Sequence, residues 1–505
     1  MQMKNCEVKT KNGIVKGKVE NGVMKWLGIP YAKKPLGEYR FRRAQPADDW
    51  AGVLETVNWS NKPLQPPFLT SNPDIEESED CLYLNIWSKE TEYKKPVVVF
   101  FYGSAFIIGE ASLDTYDGTN YAKDGIVFVS FNHRVGVFGG YDLSHLPGAE
   151  EDFDSDIMES DQIQALRWVK ENIENFGGDP DKVTIMGESA GAGSVINLMA
   201  TPAAKGLFHQ VISQSAVIRS TMVPKVGERN MSLLLKHLNL SIEEASKLKD
   251  VNTDELQDAS LWLMNNYTRE NPGIFLPGNM IGGELLPEPP IEKIGKGSGK
   301  GIKLMIGTNM NEASLFIHGD TSNMMYTKDE IEQFFENCNT SEEVRNKLRK
   351  HYDCFETPQS IQDFCRDFTF VNDSAIVADL QSQYGDTYMY YFSYQAEPST
   401  QMGLGCFHGL EIPLALGTAK ISEMRNLYEA SDEKSFGKVS RTCYRAWVNF
   451  IKFGNPNGKG KGPWPKYRMN KRKVYQIDTR CRVLNNPYKK MCNAFRDLKG
   501  YEDII

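Results

Sequence analysis

The sequence predicts an α/β fold, with a central sheet of mostly parallel strands flanked by helices, and three observations carry that prediction. Short apolar runs of strand length recur along the chain, helical stretches lie between them, and a serine sits where one run turns into the helix that follows. Strands alternating with helices are the pattern of layered α/β folds, in which crossover helices cover both faces of the sheet.

Residues 97–101 and 126–131 are continuous apolar runs, as expected of strands buried on both faces. Residues 161–176 carry Ile163, Leu166, Val169, Ile173 and Phe176 at helical spacing, and Gly177-Gly178-Asp179-Pro180 stops that helix. Residues 183–186 are the next strand, 192–200 a helix and 211–213 a strand. Residues 226–266 are charged and helical without strand character, as are residues 328–355. Strands at 303–306, 387–393 and 474–478 complete the pattern. The two charged helical stretches predict helical cap insertions over the sheet, roughly at 218–300 and 315–385. The Gly/Lys-rich segments 295–301 and 455–462 are expected as surface loops, and no internal repeat is present.

Composition bounds the function. With 40% hydrophobic and 25% charged residues, the 505-residue chain can bury an extensive core. A net charge of −8 with no polybasic arm argues against a nucleic-acid partner. The first nine residues lack the apolar centre of a signal peptide, and the longest apolar runs are far shorter than a membrane span, so a cytoplasmic protein without membrane contact is expected. Nine cysteines form an odd set with no CxxC pair and no zinc-like spacing, and are expected mostly as free thiols with no metal site.

The serine is Ser189, in Gly187-Glu188-Ser189-Ala190-Gly191. A Gly-x-Ser-x-Gly elbow between strand and helix holds Oγ above the sheet of an α/β-hydrolase, and the helix N-terminus behind it favours developing negative charge. Neither a Walker A lysine nor a third dinucleotide glycine is present, which excludes phosphate-loop readings. A serine needs a base, and the base an orienting carboxylate, in the chain order Ser, acid, His. The later histidines are His209, His237, His318, His351 and His408. His408 stands apart in the glycine-rich loop 403–409, beyond the strand 387–393. Glu312 lies at the C-terminal end of the strand 303–306, where an ordinary solvated glutamate is an equally good reading.

These residues sit within a wider set that resembles the type B carboxylesterase family. The set includes Gly28-Ile29-Pro30-Tyr31-Ala32, Ser78-Glu79-Asp80-Cys81-Leu82-Tyr83-Leu84-Asn85, Phe176-Gly177-Gly178-Asp179-Pro180, Gln214-Ser215, Gly307-Thr308-Asn309, His408-Gly409-Leu410-Glu411-Ile412-Pro413 and Trp464-Pro465-Lys466-Tyr467. The resemblance implies an α/β-hydrolase fold and a serine esterase with Ser189 as nucleophile, Glu312 as acid, His408 as base and the Ser215 hydroxyl beside the acid. It also implies an oxyanion hole from the N–H of Ala190 with Ser104 and Ala105, a small-molecule ester substrate and no cofactor. Length alone would suggest about three domains. One site drawing on residues so far apart instead predicts a single domain over 1–505, as monomer or homodimer.

Three departures from the family pattern stand out. Ser104 replaces a glycine of the oxyanion loop Tyr102-Gly103-Ser104-Ala105-Phe106, and Gly103 is expected to absorb the unusual dihedrals so that serine is accommodated without strain. Asp156-Ile157-Met158-Glu159-Ser160 stands where the family has Asn-x-Gly-Leu. Cys81 matches a cysteine that secreted members pair upstream, yet only Cys6 precedes it here. The alternative to an enzyme is a catalytically weak or inactive binding module, a class known among relatives that lack the nucleophile.

Overall fold

The computed structural model describes residues 6–66, 71–145, 151–273, 277–316, 324–429 and 431–499. Among these, eleven strands form one sheet. In chain order they are β1 (Lys18–Glu20), β2 (Val23–Pro30), β3 (Tyr83–Ser88), β4 (Lys95–Phe101), β5 (Val127–Phe131), β6 (Gly178–Glu188), β7 (Gln210–Gln214), β8 (Lys303–Asn309), β9 (Thr387–Phe392), β10 (Lys473–Ile477) and β11 (Arg482–Asn485). Their spatial order is β1-β2-β3-β5-β4-β6-β7-β8-β9-β10-β11. From β5 to β10 every neighbouring pair is parallel. Antiparallel pairs extend the sheet at both ends. This is the mostly parallel mixed sheet of an α/β-hydrolase fold.

The alternation of side chains explains why these runs are apolar throughout. Val97, Val99 and Phe101 of β4 join one core layer with Val183 and Ile185 of β6, whereas Val98 and Phe100 face the opposite layer with Met186 and Ile212. A strand covered on both faces has no solvent side to make polar. The first layer is covered by α1 (Ile157–Asn172) and α2 (Ala190–Ala200). α1 continues as a single-turn 3-10 helix to Phe176 and stops at Gly177, whose φ of 84° suits glycine.

Between β7 and β9, five helices put their apolar sides in a third cluster: α3 (Pro224–His237), α4 (Thr253–Glu270), α5 (Lys328–Asn337), α6 (Glu342–His351) and α7 (Pro358–Arg366). Met231, Leu263, Phe334 and Phe364 meet there with Phe106 and Ala190, so this cluster rests on the residues around Ser189. α8 (Asn372–Gln381) differs from expectation. It falls inside the anticipated second insertion, yet Ala375, Val377 and Ala378 pack in the sheet layer with Leu304 and Ile306. The opposite face is covered by α9 (Glu433–Phe453) through Val439, Trp447 and Ile451. No helix among the described residues is long and apolar enough to cross a membrane.

Candidate active site

Ser189 stands between β6 and α2 with φ 57° and ψ −122°. A side-chain-bearing residue in that region costs about 1–3 kcal/mol, so the surroundings must hold it. Its N–H donates to the Gln214 carbonyl at 2.9 Å, and its carbonyl accepts from Gly193 N–H at 2.9 Å. The flanking glycines are demanded by space. A Cβ on Gly187 would lie 2.3 Å from the Gly191 carbonyl oxygen, and one on Gly191 would lie 2.2 Å from that of Phe101.

Ser189, Ser215 and Glu312 follow three adjacent parallel strands, β6, β7 and β8, at their carboxyl ends, which is where open α/β sheets gather functional groups. Glu312 is fully buried. Its Oε1 accepts from Ser215 Oγ at 2.6 Å and from Asn309 N–H at 2.6 Å, while Oε2 lies 2.6 Å from His408 Nδ1. Three partners to one carboxylate fix its orientation and, through it, the imidazole. The loop carrying His408 is tied to the same strand end: Asn309 Nδ2 donates to the Phe407 carbonyl at 2.8 Å and to Glu411 Oε2 at 2.5 Å. Gln214 donates to Glu411 Oε1 at 2.9 Å, closing a buried polar network behind the histidine.

The other ring nitrogen faces an unexpected neighbour. His408 Nε2 lies 3.2 Å from Glu188 Oε1, but neither atom makes a hydrogen bond, so the two are close in distance and off the bonding direction. Burial pushes the Glu188 carboxyl up to about 8, with Glu411 and Glu312 adding to the rise against His408. Burial alone would depress His408, but Glu188 and Glu312 outweigh it and raise the imidazole to about 9. The two therefore titrate as a pair.

The oxyanion loop corrects one expectation. Ser104 has φ 82°, Ala105 57° and Phe106 62°, whereas Gly103 has no positive φ. The unusual dihedrals fall on the side-chain-bearing residues. Gly103 is needed for room, since its Cβ would lie 2.7 Å from Glu188 Oε2 and 2.9 Å from Ser189 Cβ. The turn is closed by Ile107 and Ile108 N–H groups donating to the Ser104 carbonyl at 3.2 and 3.3 Å. Among the described residues, no acceptor takes the N–H of Ser104 or Ala105. Ala190 is the first residue of α2, where helical N–H groups have no partner within the helix. Three donors are thus available around the elbow.

Three of the other histidines that follow Ser189 lie elsewhere. His209 takes Val183 N–H on Nδ1 at 3.4 Å, His237 stacks on Trp262 at 4.2 Å between ring centroids, and His351 meets Tyr352 edge-on. His318 lies outside the described residues. Among the described residues, no group of His, Cys, Asp and Glu side chains gathers in a form that could hold a metal ion. In the departing segment, Asp156 takes φ 56° and Glu159 is buried, accepting from Thr201 Oγ1. Cys81 is a free, buried thiol. Sequence reasoning passed over Asn309, Gln214 and Glu411, although each stands in a quoted motif, and it treated Glu188 as the variable position of the elbow.

Comparison with known proteins bears on this arrangement. A family model described as the carboxylesterase family matches residues 4–495. The chain is similar to para-nitrobenzyl esterase of Bacillus subtilis (strain 168), 34% identical over 501 residues that cover 98% of this chain and 99% of that protein. It is similar to acetylcholinesterase of Danio rerio, 30% identical over 529 residues, covering 90% of this chain and 81% of that protein. Among solved structures, a thermophilic PNB esterase superposes with a TM-score of 0.89 at 32% identity, covering 97% of this chain and 99% of the other.

Proposed function

Since this chain belongs to the carboxylesterase family and is a carboxylesterase, we propose that it hydrolyses small-molecule carboxylic esters through Ser189, His408 and Glu312 by way of an acyl-enzyme. His408 Nε2 accepts the Ser189 Oγ proton as Oγ attacks the ester carbonyl, and the same proton passes to the departing alcohol oxygen. Water then gives its proton to His408 and attacks the acyl carbonyl, and the carboxylic acid leaves as Oγ regains a proton. Glu312 keeps the Nδ1 proton in place and balances the imidazolium, while Ser215 and Asn309 hold Glu312. The tetrahedral oxyanion is received by the N–H groups of Ser104, Ala105 and Ala190.

The observation that carries this reading is the buried 2.6 Å contact between Glu312 and His408 beside a serine on a strained elbow. For the histidine to reach Oγ, its Nε2 must turn from Glu188, a small adjustment of the kind that substrate binding makes in such sites. We take the chain as a single domain, in which the helical insertions at roughly 218–300 and 315–385, α8 excepted, wall the substrate pocket. A reducing, cytoplasmic setting is supported by the free thiol of Cys81. The test is Ser189→Ala, assayed with a short-chain chromogenic ester. Turnover is expected to fall by several orders of magnitude with the circular-dichroism spectrum unchanged, and near-parental activity would refute the assignment.

A further inference from the structure

Between α7 and α8 the chain makes one π-helical turn, Asp367–Val371, in which Asn372 N–H donates to the carbonyl of Asp367 five residues back. A π turn accommodates one residue more than an α turn, so side chains beyond it are displaced by about 100° around the helix axis, and such turns concentrate at functional sites. Two phenylalanines of this turn, two positions apart, face opposite sides of it. Phe368 points into the insertion core, 4.9 Å from Phe334 between ring centroids. Phe370, fully buried, instead reaches His408 with 4.7 Å between ring centroids and the planes tilted by 35°.

Phe316 completes the wall at 5.2 Å from His408 and 6.2 Å from Phe370. With these three separations the two phenylalanines stand side by side against the imidazole and do not sandwich it. The turn is also tied to the acid loop, because Arg366 donates to the Met310 carbonyl at 3.4 Å and pairs with Asp367 at 2.8 Å. An aromatic ring this close to a cation is attracted to it through its π face. The charged groups facing His408 are Glu312 on Nδ1, Glu188 on Nε2 and Glu411 behind. Those of the adjoining helices are spent on each other, Arg366 with Asp367 and Asp373 with Arg219.

We propose that Phe370, delivered by the π turn, is a positioning residue that holds the imidazole of His408 against Glu312 and stabilises the imidazolium formed during catalysis. This rests on the reading of His408 as the base. It predicts that replacing the ring lowers the rate and makes the imidazole easier to deprotonate, whereas a loss of packing alone lowers stability without moving a titration.

The experiment compares the parent, Phe370→Leu and the control Phe368→Leu, which truncates a phenylalanine of the same turn that has no contact with the histidine. Each is assayed for kcat and KM on a short-chain ester and for the rate of phosphorylation by diethyl 4-nitrophenyl phosphate, from pH 5 to 10. Should Phe370→Leu fail to fold, Phe370→Met replaces it. Phe370→Leu is expected to lose about tenfold in kcat and in phosphorylation rate, with KM within about twofold and the acid limb displaced by about half a pH unit or more to lower pH. Phe368→Leu is expected to keep both. A limb that does not move in Phe370→Leu, or moves equally in Phe368→Leu, overturns the proposal while leaving the triad standing. A parent enzyme that reacts somewhere other than Ser189 overturns the triad and this inference with it.

Discussion

Replacing Glu188 by glutamine removes a charge beside His408, the proposed base, without changing the volume of the side chain. Glu188 Oε1 is 3.2 Å from His408 Nε2, and the carboxyl is wedged against the oxyanion loop at Gly103, so an isosteric amide keeps the packing. The sign follows from the pair. A carboxylate favours the imidazolium, and Glu188 is the first of the charges that lift His408 from 6.5 to about 9. An amide carries no charge, and its NH2 group donates to a neutral Nε2, so both effects favour the deprotonated base. Since the base must be neutral to act, kcat/KM falls as pH falls through the histidine titration, and that acid limb should lie above the ordinary histidine range in the parent. In Glu188→Gln the limb should move to lower pH by about one unit, equivalent to roughly 1.4 kcal/mol. The ratio of kcat/KM at pH 6 to its plateau value should then rise about tenfold. The assay is hydrolysis of a short-chain ester between pH 5 and 10 with substrate well below KM. A limb that stays in place, or moves to higher pH, would show that Glu188 does not govern the base.

Glu312→Gln should lower kcat by about 10³-fold or more with little change in KM, because an amide at 2.6 Å from Nδ1 favours the wrong tautomer; a silent substitution would mean another carboxylate serves as the acid. Ser104→Gly should relieve a φ of 82° that costs a side-chain-bearing residue about 1–2 kcal/mol, offset by about 0.4–1 kcal/mol of added freedom in the unfolded chain, for a net gain of some tenths of a kcal/mol in urea unfolding. Its kcat should stay within about threefold, since the Ser104 carbonyl is already held by Ile107 and Ile108, and a rise of 10- to 100-fold would reveal that serine misdirects a donor. Cys81 should be inert to a thiol reagent in the folded protein and react once unfolded, with no loss of melting temperature under reductant; a native disulfide would have contributed about 2–4 kcal/mol and would show as such a loss.

What the sequence discloses depends on how local its cause is. The parallel strands β4 to β10 are readable because burial on both faces gives each a short apolar run, and each expected run lies within or largely overlaps an observed strand. β2 and β3 escape that reading: Lys25, Gly28 and Asn85 interrupt them, and they pair antiparallel with each other across more than fifty residues of chain. The elbow at Ser189 is legible because space forces glycine on both sides. The meeting of Glu312 with His408 joins residues 96 positions apart and is settled by strand order, which spacing does not encode. Gly103 shows a subtler failure. A glycine invites the assumption of unusual dihedrals, yet here it answers to the crowding of Glu188 and Ser189, and Ser104 takes the positive φ. Phe370 carries no signal at all, since a π turn and an α turn are written in the same residues.

Passage of the ester's acyl group through Ser189 Oγ is read out by mass spectrometry of the protein quenched in acid during the burst phase of a short-chain nitrophenyl ester. One acyl group per chain is expected on the peptide that contains Ser189, absent from Ser189→Ala and accumulating at the rate of the burst. An acyl group on a different residue, or undiminished turnover with no covalent species at all, would contradict it.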